Sequence, residues 1–208
     1  MDSNCDKFTL TLRPQHVKGG VIMFDYIVTS ANLLIEKHET RNPLELAGLL
    51  GIYVARYPLG GLKGFYKVIN RERHIVLNES LEEWEWQIVL AHEIGHDQLH
   101  KHIASLSTMC EHSLLFPSGK TEQEANLFAA ELLLSDAEML DHMANQLTLD
   151  QLSHRLYLPK EFLQYKIHIL ARRYTLLKIY MPELSSNFLG QWSRQDTGAA
   201  VRPNPDRA

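Results

Sequence analysis

The sequence predicts an α+β fold that is mainly helical, with a small twisted three-stranded β-sheet and a C-terminal helical subdomain. Two observations carry this expectation. Apolar residues recur at helical spacing through most of the chain, whereas "IYVARY" (52–57), "GFYKVIN" (64–70) and "RHIVLN" (73–78) are short runs rich in β-branched and aromatic residues. A chain of 208 residues with 45% hydrophobic content suffices for one domain core with a small appendage.

Charge and cysteine usage narrow the setting. The formal net charge is -4 and the basic residues are scattered, so there is no electrostatic footprint for nucleic acid or an anionic membrane, and neither is expected as a partner. Cys5 and Cys110 are too few for a disulfide framework, and no charged-then-apolar leader or apolar run of about 18 residues appears. A cytoplasmic location is the expectation.

Taken in order, residues 1–22 lack helical periodicity. Lys18-Gly19-Gly20 can be encoded as a purine-rich ribosome-binding sequence at a conventional spacing before the Met23 codon, so the segment reads as a flexible arm or a mis-assigned translation start. From Met23, the residues Phe24, Ile27, Ala31, Leu34 and Ile35 mark a helix ending near Lys37 and His38. Pro43 sits in the first turn of a shorter helix, a position that does not need its missing N–H. The second and third extended runs are separated by a polar Arg71-Glu72 step suited to a hairpin. Residues 79–103, 121–134, 136–145, 148–156 and 159–179 read as helices, with Asn78 or Ser80, Thr121, Ser135 and Thr148 as caps. A core over 23–147, a helix-turn-helix-like subdomain over 148–180 and a disordered polar tail over 185–208 follow. The acidic balance and the scarcity of base-reading side chains on the second helix of that pair argue against direct DNA binding.

The chemistry is concentrated in "LAHEIGHDQLHKH", residues 90–102. Trp84, Ile88, His92, Gly95 or His96, Leu99 and Ile103 fall on one helical stripe, so two imidazoles interrupt an apolar face. Histidines four residues apart project together and can converge on one zinc ion, while Glu93 leans to the neighbouring face, where a carboxylate can take a proton from activated water. This is the His-Glu-x-x-His signature of a zincin-like domain, with one catalytic zinc. Gly95 costs the helix roughly 1 kcal/mol relative to alanine, so a strand or substrate is expected to pass close to that backbone.

The third ligand decides the class. His102 stands where a metzincin has its third histidine, but Leu99 occupies the position of the helix-breaking glycine. If the helix continues, His102 points roughly 120° away from His96 at about 100° per residue. His100 lies four after His96, yet three ligands in a row on a rigid helix cannot close on one tetrahedral ion, so it is read as a supporting or packing histidine. Downstream, "KTEQEANLFAAELLLSD" offers Thr121 and Glu124 as a capping box, which leaves Glu122 free to be the third ligand. Asn126, one turn later, can hydrogen-bond a ligand histidine and fix its tautomer, and Glu131 is expected to face solvent or pair with another helix.

"GFYKVINRERHIVLN", "VLAHEIGHDQLH" and "TEQEANLFAAELLLSD", in that order over residues 23–180, resemble the ImmA/IrrE family of metallopeptidases. The family's usual Met-Pro after the third motif is replaced by Leu134-Ser135. The resemblance implies that His92, His96 and Glu122 hold zinc and that Glu93 is the general base. It further implies a protein substrate, a helix-turn-helix repressor encoded beside the gene, whose cleavage relieves repression of a phage, mobile element or stress response. The C-terminal helices are then expected to flank the cleft and help choose the substrate. A substrate strand is expected to add to the sheet edge at about residues 64–70, and Tyr66 is a candidate to stabilise the oxyanion. The alternative function is a non-proteolytic regulatory or toxin-antitoxin binding module of the same fold. Oligomeric state is not legible.

Overall fold

The computed structural model describes residues 22–101, 109–111 and 119–174. Gly20–Ile169 form one compact unit, and from Leu170 the chain enters a second. The expectations for the segment before Ile22, for the 185–208 tail and for His102 lie outside the described residues. In order the elements are α1 (Ile22–His38), α2 (Pro43–Leu49), β1 (Ile52–Tyr57), β2 (Gly64–Ile69), β3 (Glu72–Asn78), α3 (Glu83–Leu99), β4 (Met109–Glu111), α4 (Lys120–Leu133), α5 (Asp136–Ala144), α6 (Leu149–Leu156) and α7 (Lys160–Arg173). The fold is α+β and mainly helical. No described helix is long and apolar enough to cross a membrane.

Local chemistry accounts for most boundaries. Asn42 caps α2, its side chain accepting from the amides of Leu44 and Glu45, with Pro43 in the first turn. β2 and β3 pair antiparallel from Gly64 opposite Leu77 to Ile69 opposite Glu72. Asn70 and Arg71 join them with φ of 51° and 70°, a turn of two left-handed residues whose twist matches that of the strands. Ser135 caps α5, and Thr148 with Gln151 forms a complete capping box on α6.

Among the described residues the sheet has four strands rather than three, in the order β1-β3-β2-β4, with β1 parallel to β3 and β4 antiparallel to β2. β4 is three residues long, too short to show alternation in a sequence. Its presence corrects the first half of the docking edge expected at about 64–70, because Gly64, Phe65 and Tyr66 already pair with Glu111, Cys110 and Met109. Among the described residues the outer strands are β1 and β4.

α3 crosses behind this sheet and is buried on every side from Ile88 to Asp97, instead of along a single stripe. A Cβ on Gly64 would stand 2.8 Å from Val89 Cγ1, which shows how closely α3 lies on β2. On another side a Cβ on Gly95 would meet the Ala125 Cα and Phe128 Cδ1 at 3.2 Å, so the chain passing Gly95 is helix α4, neither a strand nor a substrate.

Two helix ends differ from expectation. α3 begins after Glu82 and leaves helical geometry at His100, with φ -124° and ψ 20°, so it is shorter at its start than the 79–103 reading and breaks at His100. α4 starts after Gly119 without a side-chain cap, so Thr121 and Glu124 form no capping box. Of the two readings of Glu131, solvent-facing or helix-pairing, the structure shows the second: Lys166 Nζ, fully buried on α7, donates to Glu131 Oε2 and Asp136 Oδ1 at 2.6 Å each.

Candidate metal centre

The close crossing of α3 and α4 brings three ligand atoms together. His92 and His96 project from α3 with their rings nearly perpendicular, at 82°, and centroids 4.6 Å apart. Their Nε2 atoms are 3.0 Å from each other, and Glu122 Oε2 on α4 lies 3.1 Å from the first and 3.4 Å from the second. Among the described residues these three form a group of metal-ligating side chains.

The donor set fits zinc. With bonds of about 2.0–2.1 Å, two ligands of a tetrahedral zinc ion stand about 3.3 Å apart, which is the edge of this triangle. Asn126 Oδ1 accepts a hydrogen bond from His92 Nδ1 at 2.8 Å, which leaves Nε2 as a bare lone pair aimed at the other two donors. With both imidazoles protonated on Nδ1, three lone pairs would face one another here, an arrangement that a cation would fill. Three protein ligands on one side leave the fourth tetrahedral direction open, as catalytic zinc sites do.

The electrostatics keep His96 and Glu122 deprotonated. Burial, reinforced by the neighbouring rings of His92 and His100, disfavours the imidazolium of His96 and outweighs the attraction of Glu122, lowering its pKa to about 4. Burial alone would push the Glu122 carboxyl up. Its contacts with His92 and His96 prevail and hold it well below the usual carboxylate range.

The remaining expected site residues divide. Glu93 is fully buried next to His92 on α3 and is not one of the three clustered ligands. His100 is not in that cluster either, but its Nδ1 lies 3.0 Å from His96 Nδ1. Asn126 is fully buried and donates in turn to the hydroxyl of Tyr165 on α7 at 3.3 Å. Tyr66 is placed in another role: its hydroxyl donates to Asp97 Oδ1 at 2.6 Å, and Arg73 donates to Asp97 Oδ2 at 2.9 Å, tying the sheet to α3. The phenol's single donor is thus committed to a carboxylate. Burial first, and then the bond to Asp97, raise the Tyr66 pKa far above the usual range. Asp97, Tyr165 and Glu124 were not anticipated here, because each acts across elements remote in sequence.

Sequence comparison bears on what this geometry is for. The model of the IrrE N-terminal-like domain matches residues 47–168, a span that holds the whole ligand triangle. The chain belongs to the ImmA/IrrE metallopeptidase family. Similar proteins include the uncharacterized immunity region protein 2 of Bacillus phage phi105, 38% identical over 144 residues, covering 69% of this chain and 90% of that protein. Metallopeptidase ImmA of Bacillus subtilis strain 168 is 33% identical over 105 residues, covering 50% of this chain and 60% of that protein. The family match runs through α6 and most of α7, and so does the compact unit.

Proposed function

We propose that this protein is a cytoplasmic, zinc-dependent, site-specific endopeptidase. Its substrate in this reading is a helix-turn-helix transcriptional repressor, and cleavage relieves repression of a phage, mobile element or stress response. The observation that carries the reading is the His92, His96 and Glu122 triangle, with edges of 3.0, 3.1 and 3.4 Å and Glu93 beside it in α3.

In this reading His92, His96 and Glu122 hold one zinc ion, which supplies Lewis acidity toward a peptide carbonyl and toward water. Glu93 accepts the proton of the attacking water and delivers it to the leaving amine, so that no free hydroxide or amide anion forms. Asn126 holds the His92 ring and His100 supports His96. Glu122 has the most exposed side chain of the three ligands, at 19%, so the substrate carbonyl approaches from its side. The C-terminal helical pair is proposed to contribute to substrate choice. The repressor as substrate is supported by the relative named for a phage immunity region and by the relative named metallopeptidase ImmA.

A non-proteolytic binding module would keep the triangle but have no use for Glu93, and this separates the two readings. The test is incubation of the repressor encoded beside the gene with zinc-loaded wild type, with Glu93→Gln and with a chelated sample. A discrete fragment from the wild type alone is the expected result. An intact repressor that binds wild type and Glu93→Gln equally would replace the peptidase with the binding module.

A further inference from the structure

The two histidines of the triangle are supported differently. His92 donates to a neutral amide, whereas behind His96 stand a second imidazole and then a carboxylate: His96 Nδ1 lies 3.0 Å from His100 Nδ1, and His100 Nε2 lies 2.8 Å from Glu124 Oε2. His100 and Glu124 side chains are 5% and 11% exposed, so little water competes for these bonds.

Hydrogen counting along this chain leaves one arrangement compatible with a metal. A carboxylate oxygen only accepts, so the hydrogen between Glu124 and His100 belongs to His100 Nε2. A neutral His100 then has a bare Nδ1, and the hydrogen between the two rings belongs to His96 Nδ1. His96 Nε2 is left as a lone pair on the triangle. In the opposite arrangement a doubly protonated His100 would donate to His96, placing the hydrogen of His96 on Nε2 and disabling it as a ligand. The geometry points to Glu124 as a positioning residue that acts through His100 to set the tautomer and ring orientation of the ligand His96. This rests on the metallopeptidase reading and deepens it.

The backbone explains why these residues can meet. α3 leaves helical geometry at His100 while the His100 amide still donates to His96 O at 2.9 Å, so the ring of His100 swings over His96 instead of lining up beyond it. On the facing helix Glu122 turns to the triangle and Glu124 to His100. Partners behind metal ligands typically change metal affinity by about 10- to 100-fold when removed.

The experiment measures zinc affinity by chelator competition, with far-UV circular dichroism as a check on folding, and ring-nitrogen NMR of the histidines with and without zinc. Glu124→Leu and His100→Phe are each expected to weaken zinc binding by about 10- to 100-fold. Glu124→Gln, whose amide oxygen still accepts but carries no charge, is expected to fall between them and wild type, and it keeps the test open if the leucine variant does not fold. The double variant His100→Phe/Glu124→Leu is expected to bind no worse than His100→Phe, since Glu124 acts through His100. Lys120→Ala, which removes only the distant ammonium 3.8 Å from Glu124 Oε1, is the control and should bind as wild type. NMR should find hydrogen on His96 Nδ1 and His100 Nε2 in the wild type. Wild-type zinc affinity in Glu124→Leu, additive losses in the double variant, or hydrogen on His96 Nε2 in the zinc-free protein would each overturn the inference alone. A wild type that binds no zinc would instead overturn the metallopeptidase reading, and this inference with it.

Discussion

Gly95 and Ala125 stand so close where α3 crosses α4 that a methyl group added to Gly95 would lie 3.2 Å from the Ala125 Cα and 3.3 Å from its carbonyl oxygen. Backbone atoms on a packed helix cannot swing aside as the end of a long side chain can. The crossing distance sets the ligand triangle, because His92 and His96 ride on one helix and Glu122 on the other.

Gly95→Ala therefore gains roughly 1 kcal/mol of helix propensity and loses about 1–3 kcal/mol to overpacking, for a net loss of stability. Its larger effect falls on the metal. The helices separate by a few tenths of an ångström, and zinc affinity is expected to drop by about tenfold, in the range seen when support for metal ligands is disturbed. Chelator competition together with a thermal melt checks this, and an alanine variant with unchanged affinity would show that the crossing tolerates the methyl.

Lys166 joins α7 to α4 and α5 through Glu131 and Asp136, and its ammonium is fully buried. Replacing it with methionine leaves two carboxylates around an apolar chain, so Lys166→Met is expected to destabilise the fold by about 3–5 kcal/mol. Urea unfolding measures it. Truncation from residue 148 would remove both Lys166 and Tyr165, so loss of cleavage in such a deletion would report loss of core support as well as any loss of substrate choice.

Tyr66 is a structural tie in this fold. Tyr66→Phe removes one hydrogen bond to a buried carboxylate and should lower stability by about 1.5–3 kcal/mol, the usual range for bonds to charged groups. Cleavage by the folded variant should stay within about threefold of wild type. A fall of about 100-fold in kcat with KM unchanged, the size expected for a lost oxyanion donor, would return Tyr66 to catalysis.

Acid should destabilise the metal-free protein in two steps of the same sign. The unfolded chain takes up a proton at His96 near its ordinary pKa of 6.5, while the folded chain refuses it until about pH 4. The unfolded state binds more protons across that window, so stability falls as pH drops from about 6.5 toward 4. Glu122 adds to the loss below its ordinary value of 4.5, because its folded carboxyl is held lower. Denaturant midpoints at several pH values should show this slope, and His96→Phe should flatten the portion above pH 4.5. Saturating zinc should raise the midpoint at neutral pH, by about 2.7 kcal/mol at a hundredfold excess over Kd.

Short-range physics made part of this protein legible from its residues alone. The spacing of His92 and His96, the strand pair joined near Asn70 and Arg71, and the caps at Ser135 and Thr148 each depend on atoms within a few positions of one another, so residue type and period suffice to read them. The same holds for Glu122 and Asn126, one helical turn apart and both facing α3. Where two local readings competed, tertiary contact decided. Glu124 had an apparent partner in Thr121, but it faces His100 because α4 starts at Lys120 and packs against the end of α3. Glu131 could be a surface charge or a helix-pairing one, and Lys166 meeting it in the core from 35 positions away decided for pairing. Tyr66 found Asp97, and β2 found β4, in the same way. Each of these pairings joins segments far apart in the chain. Their geometry follows from how helices and sheet pack, and no periodicity encodes it.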